Sequence, residues 1–188
     1  MEFNNTIQAL QTFGRNVVKE GRGILKRKKK NASGTLSNDF DYLVTSSKDA
    51  VTLEFEFGRA DDYWQFVDEG VRGVGGFKGS GRMRGGKTPF RFGSGKFGGT
   101  WNEFKNSIKN WIKRKGIKGR SREEGKKGRF IKLESLTFLI QRSIFQRGLE
   151  RTQFFSRPFT QQLDKQTETI TKAFADDLEL ALDQALKE

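Results

Sequence analysis

The stretch Phe40-Asp41-Tyr42-Leu43-Val44-Thr45-Ser46-Ser47-Lys48-Asp49-Ala50-Val51-Thr52-Leu53-Glu54-Phe55-Glu56-Phe57 decides the class of fold. Phe40, Tyr42 and Val44 alternate with their neighbours, and Val51, Leu53, Phe55 and Phe57 alternate with Thr52, Glu54 and Glu56. A period of two places each set on one side of a strand. With the turn-like Ser46-Ser47-Lys48-Asp49 between them, the two sets predict a β-hairpin with one buried face. On either side the apolar spacing changes to three and four. Phe3, Ile7, Leu10, Phe13 and Val17 predict a helix over 3–20, interrupted by Gly21 and Gly23. Trp101, Phe104, Ile108, Trp111 and Ile112 form one stripe of a second helix, and Leu136, Leu139, Ile140 and Ile144 mark a third over 132–147, closed by Gly148. Pro158 starts a fourth over 158–187, with Phe159, Leu163, Ile170, Phe174, Leu178 and Leu182 along one side. One hairpin among four helices is an α+β domain: a small hairpin-based sheet packed with amphipathic helices, the last of them long.

The chain has 188 residues, the size of a single domain 1–188. Its 36 Lys and Arg against 23 Asp and Glu leave +13, which favours polyanions or acidic protein surfaces as partners. There is no Cys and no His, so disulfides, thiolate or imidazole metal sites and nucleophile–histidine relays are excluded. An oxygen-ligand metal site stays open. Met1-Glu2-Phe3-Asn4-Asn5 lacks a basic and apolar leader, and no run of about 18 apolar residues occurs, so the chain is expected to be soluble and unprocessed, with no membrane partner.

The charge sits in one place. Residues 71–130 hold 18 bases against 3 acids, a net of +15, together with 15 of the 22 glycines. Such sequence offsets little ordering entropy by burial, so 71–100 and 114–129 are expected as long mobile loops in a basic insertion at about 71–130, with the Trp101–Ile112 helix as an island between them. The Lys26-Arg27-Lys28-Lys29-Lys30 run is expected as a solvated helix end or loop.

Two motifs suggest catalysis, and each has a plainer account. Gly81-Arg82-Met83-Arg84-Gly85-Gly86-Lys87-Thr88 matches the phosphate-loop pattern. That loop works only between a buried strand and a helix, and neither Phe77-Lys78-Gly79-Ser80 before it nor Pro89-Phe90-Arg91-Phe92-Gly93 after it has the needed periodicity. Asp61-Asp62 and Asp68-Glu69, with Glu54 and Glu56, suggest the magnesium ligands of a nuclease, but adjacent acids seldom aim at one metal, and solvated turns and helix-start charges explain them. No enzyme, metal, cofactor or small-molecule substrate is expected.

Phe77, Phe90, Phe92, Phe97 and Trp101 are interleaved with Arg82, Arg84, Lys87, Arg91 and Lys96. This composition suits single-stranded nucleic acid, with rings on bases and cations along the backbone. It suits equally an arm whose rings anchor in a neighbouring subunit while its cations face DNA.

Three segments resemble a known family. The first is Ser33-Gly34-Thr35-Leu36-Ser37-Asn38, between an amphipathic helix and the hairpin. The second is Asp62-Tyr63-Trp64-Gln65-Phe66-Val67-Asp68-Glu69-Gly70-Val71, and the third is Gly148-Leu149-Glu150-Arg151-Thr152-Gln153-Phe154-Phe155-Ser156-Arg157-Pro158-Phe159, where a Pro-Phe pair starts the terminal helix. In this order and spacing, over about two thirds of the chain, they resemble the neck or tail-completion proteins of tailed bacteriophages. The large basic insertion departs from the family's often shorter form. The resemblance implies a structural virion protein: a homo-oligomeric ring at the head–tail junction, between portal-side connector and tail proteins, assembled in the host cytoplasm. On this reading Arg72, Lys78, Arg82, Arg84, Lys87, Arg91 and Lys96 face genomic DNA or acidic partners, and Phe66, Phe90, Phe92, Trp101, Phe154, Phe155 and Phe159 contribute to oligomer or partner interfaces. The alternative is a sequence-nonspecific nucleic-acid-binding protein.

Overall fold

A computed structural model describes residues 3–30, 33–75, 84, 86–95 and 99–186. In chain order the elements are α1 (Asn4–Arg27), α2 (Thr35–Asp39), β1 (Asp41–Ser46), β2 (Val51–Glu56), a 3-10 turn (Gly58–Ala60), α3 (Trp64–Glu69), β3 (Val71–Arg72), α4 (Trp101–Lys115), α5 (Leu133–Arg147), β4 (Gly148–Leu149) and α6 (Ser156–Ala185). The architecture is α+β, with the expected hairpin, the expected helices and a long C-terminal helix. The chain divides into two compact units: unit 1 comprises 1–64 and 152–188, and unit 2 comprises 65–151. Unit 2 therefore begins before and ends after the expected insertion at 71–130.

In unit 1, β1 and β2 pair antiparallel from Asp41↔Glu56 to Ser46↔Val51, and the Ser47 amide donates to the Ala50 carbonyl at 2.8 Å across the turn. Tyr42, Val44, Leu53 and Phe55 share the half-buried face, while Leu43 and Glu54 point outward. Phe40 is fully buried, stacked on Phe57 at 5.1 Å between ring centroids and edge-on to Phe154 at 5.5 Å. Phe57 stacks in turn on Trp64 at 4.1 Å. Aromatic rings packed edge and face make this a core with directional contacts as well as buried area.

The first helix is longer than its periodicity predicts. Gly21 and Gly23 do not interrupt it; α1 runs on to Arg27. A Cβ on Gly21 would lie 2.7 Å from the Phe154 carbonyl oxygen and 2.7 Å from the Phe40 ring, so the glycine marks a close approach of helix to backbone. The helix also lacks a cap of its own, since Phe3 holds the N-cap position. Asp177 of α6 supplies one. Its carboxylate accepts from the Asn5 amide (3.1 Å), the Thr6 amide (2.8 Å) and the Thr6 hydroxyl (2.7 Å), satisfying orphan donors of the first turn across 171 residues of sequence. At the other end of the pair, Gln162 Nε2 donates to Glu20 at 2.6 Å, so α6 runs back along α1.

In unit 2, α4 and α5 form an antiparallel helical hairpin around Ile108, Ile112 and Leu136, flanked by Phe104, Trp111, Ile140 and Ile144. Thr100 and Glu103 form a capping box that starts α4, and Gly116, at φ +62°, ends it. Gln141 Nε2 donates to the Trp101 carbonyl at 2.8 Å, tying the two helices together. Gly148 ends α5 as expected but has φ +90° and ψ −175°, an extended region open essentially to glycine alone. From there the chain enters β4, which pairs antiparallel with β3 (Val71↔Leu149, Arg72↔Gly148).

Where they are described, 73–75, 84, 86–95 and 117–131 form no helix or strand beyond isolated bridges, as expected of loops, and backbone contacts tie parts of them down. Val74 and Gly75 donate to the carbonyls of Phe145 and Gln146, at 3.0 and 3.1 Å. Thr88 and Phe90 are buried, 5% and 8% exposed. Residues 117–131 fold back on themselves, with the Ser121 amide donating to the Arg129 carbonyl and the Ile131 amide to that of Gly119, both at 2.9 Å. Backbone hydrogen bonds, which composition does not report, order these segments. The Lys26–Lys30 run lies at the exposed end of α1 and the turn after it, as expected.

Candidate polyanion interface

Of the seven cations assigned to DNA or acidic partners, Arg72, Arg84 and Arg91 lie at or beside the β3–β4 ribbon of unit 2. β3 is flanked by β4 on one side and by residues 90–92 on the other. The Arg72 amide donates to the Phe90 carbonyl (2.9 Å) and the Phe92 amide to that of Arg72 (2.9 Å), a parallel bridge of Arg72 with Arg91. Both arginines are exposed. The Arg84 amide donates to the Arg147 carbonyl at 2.7 Å, which brings a further exposed cation to the same ribbon. Lys87 is exposed one residue before buried Thr88. Among the described residues, no carboxylate lies within ion-pair distance of Arg72, Arg84, Lys87 or Arg91. Exposed cations on backbone-paired segments suit sequence-independent contact with phosphate or carboxylate groups. Lys78, Arg82 and Lys96, with Phe77 and Phe97, lie outside the described residues.

Most of the aromatic residues assigned to interfaces also pack within the chain itself. Phe154 is fully buried in the rings around Phe40, and Phe155 packs between Phe55, Phe57 and Trp64 at 5.2 to 5.5 Å. Phe159 lies edge-on to Phe13 at 5.6 Å. Phe66 and Phe90 meet edge to face at 4.6 Å, and Phe92 sits 5.6 Å from Phe104 and 5.9 Å from Phe145. Phe90 and Phe154 are buried and have little area left for a partner, while Phe66, Phe92, Phe155 and Phe159 are half-buried. Trp101 differs: it is 45% exposed while edge-on to Phe145 at 5.2 Å.

The two catalytic motifs acquire structural roles where they are described. The Thr88 hydroxyl donates to the Gly70 carbonyl (3.1 Å) and accepts from the Phe90 amide (3.3 Å); the chain then enters the bridge with Arg72 and no helix follows. A magnesium-binding hydroxyl at the head of a helix has no counterpart there. The remainder of that motif, 81–83 and 85, lies outside the described residues. Asp61 and Asp62 sit exposed in the turn before α3, whereas Asp68 is buried within it. Among the described residues no three carboxylates gather where they could hold a metal ion, and no helix is long and apolar enough to cross a membrane.

Sequence reasoning missed two further basic features. The folded-back loop between α4 and α5 holds Lys118, Arg120, Arg122, Lys126, Lys127 and Arg129, and Arg120 lies 4.6 Å from the ring centroid of Phe130. The charge count over 71–130 contains this cluster, but the cations assigned to partner contact span only 72–96. The second feature is a cleft of about 690 Å³ in unit 1, lined by Lys19, Arg27, Lys28 and Arg157 with Glu20 and Gln162. Gln153, on its wall, has φ +53°. Lys19 and Arg27 are two helical turns apart, a spacing that can be found in the sequence once α1 is known to run past Gly23.

The resolved electrostatic shifts belong to structural contacts. The Arg59 guanidinium, bonded to Asp39 at 2.8 Å, holds that carboxyl below its usual range. Lys109 and then Lys105 do the same for Glu134, linking α4 to α5. Burial by itself raises Asp177, but donation from Thr6 and Asn5 outweighs it and the net direction is down. Comparison with protein-family models, with curated proteins and with solved structures gives no match.

Proposed function

We propose that this chain is a structural virion protein: a non-catalytic subunit that self-assembles into a ring at the head–tail junction of a tailed bacteriophage, between portal-side connector and tail. The observation that carries this reading is the uncovered apolar side of α6. Leu163, Leu178 and Leu182 lie on its stripe, yet are 41%, 38% and 59% exposed, because Asp177 and Gln162 occupy the side that meets α1, and Phe174 between them stays 46% exposed while stacking on Phe3 at 6.1 Å. Each strand of the β1–β2 hairpin also keeps one edge unpaired by the other. Apolar stripes and open strand edges are the surfaces that further copies cover, and a head-to-tail contact closes into a ring when its rotation permits. Repeated around a ring, the cations of unit 2 would form a basic collar suited to a DNA channel or to acidic neighbours.

The test is the mass of the purified full chain in solution, at low and high salt, with and without a short DNA duplex. A defined oligomer that persists without DNA is expected; a chain that stays monomeric and never co-sediments with connector or tail proteins overturns the reading. The exposed cations at Arg72, Arg84, Lys87 and Arg91, with no carboxylate in ion-pair distance among the described residues, support a second reading, a sequence-nonspecific nucleic-acid-binding protein. It expects a monomer whose DNA affinity falls steeply with salt. Replacing Arg72, Arg84, Lys87 and Arg91 with Ala should then reduce the slope of log affinity against log salt by about 3 to 4.

A further inference from the structure

The end of α6 and the loop between α4 and α5 have complementary surfaces. Residues 173–186 contain Asp176, Asp177, Glu179 and Asp183 and no base. Asp177 is used by the first turn of α1, so the eight residues from Leu178 to Ala185 run beyond the start of α1, by about 12 Å at 1.5 Å per residue. On that extension Leu178, Leu180 and Leu182 are 38%, 56% and 59% exposed, and Glu179 and Asp183 are exposed among them. Unit 2 has the opposite sign with the same apolarity. Residues 113–132 hold 10 bases against 2 acids. Phe130 is 62% exposed, with Arg120 4.6 Å and Lys118 5.8 Å from its ring centroid, and Phe138 and Leu139 are 49% and 51% exposed on the outward side of α5.

An acidic, leucine-lined helix end and a basic, phenylalanine-bearing face on one chain are matched in sign and in apolar character, so the partner that fits each is a second copy of this chain. We infer that the last turns of α6 of one copy dock on the α4–α5 loop face of the next. Leu180 and Leu182 meet Phe130 and Phe138, while Asp176, Glu179 and Asp183 meet Lys118, Arg120 and Arg129. The two surfaces differ, so the contact is head-to-tail and each copy keeps one of each for further neighbours. This inference rests on the ring reading and names the contact that would build it.

The experiment uses two charge-reversed full-length variants and the unaltered chain, with mass measured by light scattering at low ionic strength. One variant carries Asp176→Lys, Glu179→Lys and Asp183→Lys; the other carries Lys118→Glu, Arg120→Glu and Arg129→Glu. Each alone sets like charge against like charge and should associate at least about tenfold more weakly than the unaltered chain. Mixed in equal amounts, they restore opposite signs and should recover the original mass, which also shows that both are folded. Leu180→Ser with Leu182→Ser, leaving every charge in place, should weaken association as well. An oligomer that survives in either charge variant, or a mixture that stays dissociated, overturns this contact and leaves the ring reading standing. An unaltered chain that is monomeric overturns both.

Discussion

Unit 1 and unit 2 are stabilised differently. Unit 1 holds 14 bases and 16 acids, a net of −2, and 5 of the 22 glycines; unit 2 holds 22 bases and 7 acids, a net of +15, and the other 17 glycines. Among the described residues, unit 1 buries ten apolar side chains, several of them Phe rings in contact, and unit 2 buries five. A segment of one sign can fold with so small a core when its charges stay in water and its backbone makes the hydrogen bonds. The ribbon at Arg72 and the folded-back loop at Arg120 do both. The basic unit is thus built to present charge, while unit 1 keeps an uncovered apolar helix face.

Substitutions that act on one unit and spare the other would sharpen this contrast, and any that moved both transitions equally would break it. The largest expected effect is Phe40→Ala, which empties the centre of the ring cluster and should cost unit 1 about 4 kcal/mol in denaturant unfolding. Gly21→Ala should cost about 2 kcal/mol, because the new methyl meets the Phe154 carbonyl, where a backbone group has little room to give. Asp177→Ala should also cost about 2 kcal/mol, through loss of the cap on α1. That carboxyl is depressed in the folded chain, so its stabilisation is present above the unfolded value of about 3.9 and is lost as pH falls through that value and then the folded one. Unit 1 should therefore lose stability below about pH 4, and Asp177→Asn should flatten that dependence in a pH series of melts. In unit 2, Thr100→Ala breaks the capping box and should cost α4 about 1 kcal/mol, read as lost helicity and an earlier unit 2 transition. Smallest of all is Glu134→Gln. Its bonds to Lys105 and Lys109 lie in solvent, so no change in unfolding midpoint should be resolved.

Period and punctuation made much of the fold legible from the sequence. The alternation from Phe40 to Phe57 sufficed for the hairpin, the three- and four-residue spacing for the main helices, and Gly148 and Pro158 for two of their ends, because burying one side of an element leaves a periodic trace in the chain. The same trace made Trp101 to Ile112 readable as a helix inside a basic segment. Charge counting located the excess of cations in 71–130, where Arg72 and Arg91 form one bridge and the Arg84 amide reaches the Arg147 carbonyl beside them.

Non-local contacts decided the rest. Gly21 looks like a helix breaker until Phe40 and Phe154 are seen against it; α1 continues because tertiary packing outweighs the weak intrinsic cost of glycine. The cap of α1 lies 171 residues away in Asp177, and the pairing of β3 with β4 joins Arg72 to Gly148. The rings of Phe90, Phe154 and Phe155 have the composition of an interface and the burial or packing of a core. Periodicity reports which side of an element is apolar. Which other element covers that side, and which stripe remains open as on α6, depends on residues brought together only when the chain folds.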